Sequence, residues 1–224
     1  MAMIDYAVQR KNMVESQVRP SDVTDRRIIR AMLEIAREAF VPPAVRPVAY
    51  MDQHLTLAGA KSGPVRSLLT PRIQAKLIQL LELGDRDLVL DIGGGTGYSA
   101  AVLSKIAQTV VALESDAALA SMATETLAKL GIDNVAVVTG ELPQGYTSEG
   151  PYDAILVNGA VSAIAPALLD QLKDGGRLVA VELAGPIGKA TQWRRIGSLF
   201  DRRPDFDAAV PVLPGFEPKR EFVL

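Results

Sequence analysis

The stretch Leu88 to Leu103, LVLDIGGGTGYSAAVL, constrains the fold more than any other part of the chain. A β-branched and leucine run ends in an acid, Asp91, passes through Gly93, Gly94, Gly95 and Gly97, and resumes as an alanine-rich apolar pattern that suits a helix. That order reads as strand, tight glycine turn, helix. Doubly wound sheets bind ligands at such turns, because glycines let the backbone approach closely and the next helix offers unpaired N–H groups and a positive dipole end.

Spacing separates the families that use glycine turns. A dinucleotide fingerprint starting at Gly93 needs glycine at position 98, where Tyr98 stands, and a P-loop ending at Gly97 needs glycine at 92 and lysine at 98, where Ile92 and Tyr98 stand. Neither fits. The remaining pattern, Asp91-x-Gly93-x-Gly95-x-Gly97, is similar to the first motif of class I S-adenosylmethionine (SAM) methyltransferases. That resemblance implies an amino acid beside the loop rather than a pyrophosphate. Its carboxylate suits a helix N-terminus, and its ammonium and sulfonium suit nearby acids. The plainer alternative is a glycine-rich βα turn without a ligand.

A chain of 224 residues with 48% hydrophobic content supports one main domain. The net charge of −2, with interspersed signs, gives no footprint for nucleic acid or an anionic membrane, which favours small-molecule or protein substrates. The absence of cysteine removes disulfides, thiolate catalysis, cysteine-ligated zinc and iron–sulfur clusters. Radical SAM chemistry and cysteine-dependent methylation of RNA cytosine go with them. No metal site is expected. The N-terminal MAMIDYAVQRKNMVESQ has no uninterrupted apolar core, and no long apolar run occurs elsewhere, so a soluble cytoplasmic protein is the expectation.

In chain order, weak helical periodicity runs to Arg19 and is interrupted by Pro20. Thr24 or Asp25 can cap a helix with Ile28, Ile29, Met32, Leu33, Ile35, Ala36 and Phe40 on its apolar face, stopped by Pro42-Pro43. Val41 to Ser67 reads as a long proline-rich loop, of the kind that forms lids or substrate walls. It carries His54, the only histidine, whose ordinary role would be a satisfied or surface residue. Thr70-Pro71 starts a helix closed by Gly84. The glycine-turn strand is followed by strands at Val110 to Leu113 and Val135 to Val138, with a helix from Ala117 to Leu130 between them. Glu114 ends the first of these about 17 residues past Gly97, where such folds bind ribose hydroxyls. Thr139-Gly140-Glu141 follows the other, and Glu141 there can accept the exocyclic N–H of an adenine. A strand at Tyr152 to Val157, a helix at Ala165 to Leu172 closed by Gly175-Gly176, and a strand at Arg177 to Leu183 complete the alternation. Beyond Gly185-Pro186, Thr191 to Ile196 and Ala208 to Leu213 suggest short strands joined by a charged loop, forming an antiparallel edge.

Six stretches together resemble the protein-L-isoaspartate O-methyltransferase family: MVESQVRP, AMLEIAREAFVPP, LVLDIGGGTGYSAAVL, VVALESD, VVTGELPQG and YDAILVNGAVSAIAPALLDQLKDGGRLVAV. The N-terminal stretches matter most, since SAM methyltransferases in general share the core but not that preface. The resemblance implies a doubly wound, mostly parallel Rossmann-like methyltransferase sheet at residues 71–224, with a helical extension and loop at 1–70 packed on it. It also implies SAM as cofactor and isoaspartyl-containing proteins or peptides as substrate, methylated on the free carboxylate. Carried over by position, Gly93, Gly95 and Gly97 contact the methionine part, Glu114 the ribose and Glu141 the adenine. Asp91, Gly140 and Asn158 complete the cofactor candidates.

One position departs from the family. Where it typically reads Thr-Ile-Ser-Gln/Ala-Pro, with the serine beside the methyl acceptor, this chain reads Ser67-Leu68-Leu69-Thr70-Pro71. The Leu69 side chain has no hydrogen-bonding group, and Thr70 is the candidate catalytic hydroxyl, unless it serves only as the helix cap. Val157-Asn158-Gly159-Ala160 lacks the Asn-Pro-Pro-Tyr signature of DNA-adenine methyltransferases, which disfavours exocyclic amine methylation. Two alternatives stay open: a small-molecule carboxylate or hydroxyl as acceptor, or a silent SAM-binding or partner-binding relative.

Overall fold

The computed structural model describes residues 4–57, 66–185 and 187–218, so residues 58–65 of the expected long loop lie outside the described residues. Helix α1 (Tyr6–Met13) begins at Asp5, whose carboxylate accepts from the Ala7 and Val8 N–H groups. Helix α2 (Arg26–Glu34) is capped by Asp25 and is shorter than its periodicity suggests. Ile35 leaves it with ψ 123°, and Arg37–Phe40 forms a separate turn. That break lets both Arg37 and Phe40 enter the core.

A two-residue ribbon follows, β1 (Leu55–Thr56) against β2 (Ser67–Leu68), extended by a bond from the Leu57 N–H to the Arg66 carbonyl. Part of the proline-rich stretch is therefore ordered. Helix α3 (Pro71–Leu80) starts as expected, with the Thr70 hydroxyl accepting from the Ile73 N–H and Pro71 at the first helical position.

The core alternates strand and helix through β3 (Leu88–Ile92), α4 (Tyr98–Leu103), β4 (Thr109–Glu114), α5 (Ala117–Lys129), β5 (Val135–Thr139), β6 (Tyr152–Val161), α6 (Pro166–Leu169) and β7 (Leu172–Leu183). A hairpin of β8 (Gly188–Ile196) and β9 (Leu199–Ala208) ends it. The seven-stranded sheet runs β5-β4-β3-β6-β7-β8-β9. Its first five strands are parallel, and β8 and β9 are added antiparallel. The order reverses between β3 and β6, and at such a switch the strand ends form a crevice. Both sheet faces are covered, and Met13, Val18, Ile28, Met32 and Phe40 share one buried cluster with Ala100, Leu103 and Leu156.

Three expectations are corrected. The helix at Ala165 to Leu172 shrinks to the four residues of α6, because Leu172 already pairs with Tyr152 in the sheet. Gly175-Gly176 is not a helix end but lies within β7, at an irregularity where Leu172 faces Tyr152 and Arg177 faces Ala154. A Cβ at Gly176 would lie 2.9 Å from the Lys173 carbonyl, so the irregularity itself needs glycine. The last strand occupies the expected charged loop, Leu199–Ala208, and Pro204 is tolerated there because β9 is the sheet edge. Of Ala208 to Leu213, Ala208 ends β9 opposite Gly188, and beyond it Val212 makes an isolated parallel bridge to Ala160. Among the described residues no helix is long and apolar enough to cross a membrane.

Candidate active site at the glycine turn

Strands β3, β4 and β5 end side by side, and the glycine turn crosses from β3 to α4 above them. Gly95 has φ +64°, and a Cβ there would lie 2.4 Å from the Leu57 side chain, so the turn and the β1–β2 ribbon meet closely at this residue. Gly93 is covered by Leu213 in the same way, from the strip that follows β9. Gly97 faces inward instead, where a Cβ would come 3.1 Å from that of Ala123 in α5. Its small size serves the contact between the two helices.

Beneath the turn, Asp91 is fully buried. Its carboxylate accepts from the Ser99 hydroxyl at 2.6 Å and from Asn158 Nδ2 at 2.7 Å. Asn158 also donates to the Ile92 carbonyl, and its own side-chain oxygen accepts from Gln74 Nε2 at 3.1 Å. Burial pushes the Asp91 carboxyl up to about 6, against the opposing pull of the Ser99 and Asn158 hydrogen bonds. Asp91 thus holds the turn from below, through neutral donors.

Above it, Glu114 is equally buried but paired with a cation. Arg66 Nη1 and Nη2 lie 2.5 and 2.7 Å from its two oxygens. The Gly95, Ser115 and Asp116 N–H groups donate to the same carboxylate. Arg66 Nη2 also donates to the Gly93 carbonyl at 2.8 Å. At the next strand end, the Gly140 N–H donates to the Glu114 carbonyl, which brings exposed Glu141 alongside.

On the far side of the ribbon, Leu69 is buried and its carbonyl accepts from Arg37 Nη2 at 2.6 Å. The Thr70 N–H donates to His54 Nδ1, and His54 Nε2 lies 2.9 Å from the Ala209 carbonyl. His54 therefore straps the ribbon to the segment after β9, both of its nitrogens being engaged. A cleft of about 440 Å³ opens beside Thr70, with Arg72, Lys76, Phe206 and Asp207 in its walls.

The strand ends thus gather Gly93, Gly95, Glu114, Gly140 and Glu141 on one edge, with Asp91 and Asn158 beneath it. Gly97 and Thr70 stand apart. Sequence reasoning missed Arg66, Ser99, Gln74, Leu57 and Leu213. Gln74 left a trace, as a polar residue buried between the apolar Ile73 and Leu77 of α3. Arg66 left less, only a basic residue next to the stretch that departs from the family.

Comparison with known proteins agrees with this architecture. The family described as Protein-L-isoaspartate(D-aspartate) O-methyltransferase (PCMT) matches residues 8–204. The chain is 42% identical over 172 residues to a protein-L-isoaspartate O-methyltransferase of Methanoculleus marisnigri, covering 77% of this chain and 76% of that one. It is 41% identical over 182 residues to one of Herpetosiphon aurantiacus, covering 81% and 77%. A solved protein-L-isoaspartate O-methyltransferase superposes with TM-score 0.81 at 26% identity, over 92% of this chain and 66% of that longer one. The fold also matches a putative Plasmodium falciparum member, solved in complex with S-adenosyl-L-homocysteine, with TM-score 0.72 at 19% identity over 93% and 97% of the two chains. A family match from residue 8 onward, preface included, joins these likenesses to the glycine turn: the chain belongs to the protein-L-isoaspartate O-methyltransferase family of SAM-dependent methyltransferases.

Proposed function

We propose that the protein transfers the methyl group of SAM to the free carboxylate of isoaspartyl residues, with damaged proteins or peptides as acceptors in the cytoplasm. The observation that carries this reading is Glu114, held at the end of β4 against the glycine turn, in a chain that matches its family from the N-terminal preface onward. Two carboxylate oxygens suit a ribose diol, and the Gly93 carbonyl beside them suits an ammonium, so the groups present fit SAM. Glu114 takes the ribose in this reading, Gly93 and Gly95 the amino-acid part, and Gly140 with Glu141 the adenine edge. Asp91, Asn158 and Gly97 set the shape of the turn. Residues 71–224 form the cofactor-binding core, and 1–70 supply the wall over it.

SAM supplies a methyl group on a sulfonium, a leaving group that needs no protonation. A carboxylate oxygen forms the new bond to carbon as the carbon–sulfur bond breaks, and no proton moves. The chain's own task is therefore to align the acceptor and exclude water. The Leu69 side chain cannot hydrogen-bond the acceptor. Thr70 can, since its oxygen accepts from the Ile73 N–H as a cap while its own proton has no acceptor among the described residues. The test is methyl transfer from labelled SAM to an isoaspartyl peptide, with the aspartyl peptide as control. Base-labile label on the isoaspartyl peptide alone is the expected result. Label on small carboxylates or alcohols instead would move the protein to a different acceptor.

A further inference from the structure

The buried pair between Arg66 and Glu114 uses the groups that the proposed function assigns to the cofactor. A ribose diol bound to Glu114 needs both carboxylate oxygens, and Arg66 holds both, through Nη1 at 2.5 Å and Nη2 at 2.7 Å. An ammonium beside the turn would use the Gly93 carbonyl, and Arg66 Nη2 holds that too, at 2.8 Å. A single guanidinium therefore spans a hydroxyl-binding acid and a cation-binding carbonyl. Its side chain is only 4% exposed, and that of Glu114 3%. Leu57, bonded to Arg66 across the ribbon, closes on Gly95 alongside it. Glu114 does not need this cation for a partner, because the Gly95, Ser115 and Asp116 N–H groups already reach it.

We propose that Arg66 is a built-in competitor for the cofactor, occupying the ribose and ammonium positions of the free enzyme and leaving them when SAM binds. Each of its contacts has a counterpart in the ligand: the diol replaces it on Glu114, and the ammonium on Gly93. The exchange keeps the acid satisfied in both states, so neither leaves a buried carboxylate bare. Run backwards, it returns Arg66 to Glu114 as the demethylated product departs. Observed affinity is then the intrinsic affinity reduced by the fraction of protein whose site is free of Arg66.

This inference rests on the cofactor reading above, and titration with S-adenosyl-L-homocysteine separates the two. Calorimetry on wild type, Arg66→Gln and Arg66→Lys should show the glutamine variant binding roughly tenfold or more tightly, the size of shift expected when a mostly closed site is opened. Lysine, a point charge without the forked guanidinium, should fall between. The ligand-free glutamine variant should also melt at a lower temperature than wild type, since it loses the ion pair. Tighter binding together with lower ligand-free stability is a combination that a merely structural arginine would not give. Equal or weaker binding by Arg66→Gln overturns the competitor while leaving the cofactor reading standing. Absence of binding by wild type and both variants overturns the cofactor reading and the competitor with it. If the variants do not fold, the structure of the wild-type protein with S-adenosyl-L-homocysteine decides: Arg66 displaced from Glu114 supports the inference, and Arg66 still on both oxygens overturns it.

Discussion

The two faces of the glycine turn each carry a buried acid, and the acids are held in opposite ways. Asp91, beneath, is bound by a serine hydroxyl and a carboxamide, and the carboxamide is itself held by Gln74 of α3 and by the backbone of β3. Glu114, above, is bound by a guanidinium on a ribbon and by three backbone N–H groups. The lower set can change only if the core repacks. The upper set includes one long side chain that can swing out while the backbone donors stay. Equal burial therefore need not mean equal function: in the proposed reading the lower acid is architecture, and the upper one is exchangeable.

The strongest way to break this contrast is to fill the upper face. Gly95→Val places a β-branched residue at φ +64°, against Leu57, and should destabilise the fold by about 4 kcal/mol through backbone strain and overpacking. Denaturant unfolding measures that loss, and binding of S-adenosyl-L-homocysteine should disappear. A stable variant that binds normally would show that the turn and ribbon do not meet at the site.

Next in size is the pH response of the lower face. The folded Asp91 carboxyl, pushed up to about 6, binds its proton more tightly than in the unfolded chain, where about 4 is ordinary. Its contribution to stability is complete below the unfolded value and is lost as pH rises through the folded one. The wild-type stability, minus that of Asp91→Asn, should therefore fall by up to about 3 kcal/mol between pH about 4 and about 7. A flat difference would mean that Asp91 is not buried as described.

The parallel half of the molecule was legible because its signals are local. Glycine spacing, cap residues and apolar runs all lie within one element, as at Thr70-Pro71 and Leu88 to Ile92. The antiparallel edge was legible as such, with Thr191 to Ile196 inside β8, but its last strand was not placed. Leu199–Ala208 is mostly exposed and charged, so its alternation is hidden, and Pro204 argues against a strand unless the strand is known to be the edge. The region from Leu172 to Gly176 failed for a related reason, since its irregular pairing is set by Tyr152 twenty residues earlier. The site shows the same division. Glu114 is singled out by its distance to the glycines, whereas its partner Arg66 lies 48 residues away, and only the fold brings the two together.

Two smaller effects sharpen the contrast on the acceptor side, across the ribbon from the upper face. Leu69→Ser restores a hydroxyl next to Thr70 and should raise kcat/KM for an isoaspartyl peptide by roughly tenfold, the value of one hydrogen bond to a charged group. Steady-state methylation rates check it, and no rise would place the acceptor away from residue 69. Thr70→Ala should cost about 1 kcal/mol of stability through the lost cap. A fall in kcat/KM beyond that expected from unfolding alone would show that the hydroxyl also donates to the acceptor.

Binding of S-adenosyl-L-homocysteine at neutral pH, compared between Glu114→Ala and Asp91→Asn, tests the division of labour most directly. Both changes are best made in the Arg66→Gln background, so that loss of the competitor's anchor does not mask loss of the ligand's. Glu114→Ala should then weaken binding roughly ten- to a hundredfold, as expected for removing a charged acceptor from two hydroxyls, while Asp91→Asn should stay within about threefold. The reverse outcome, with the lower acid controlling affinity and the upper one dispensable, would contradict the account.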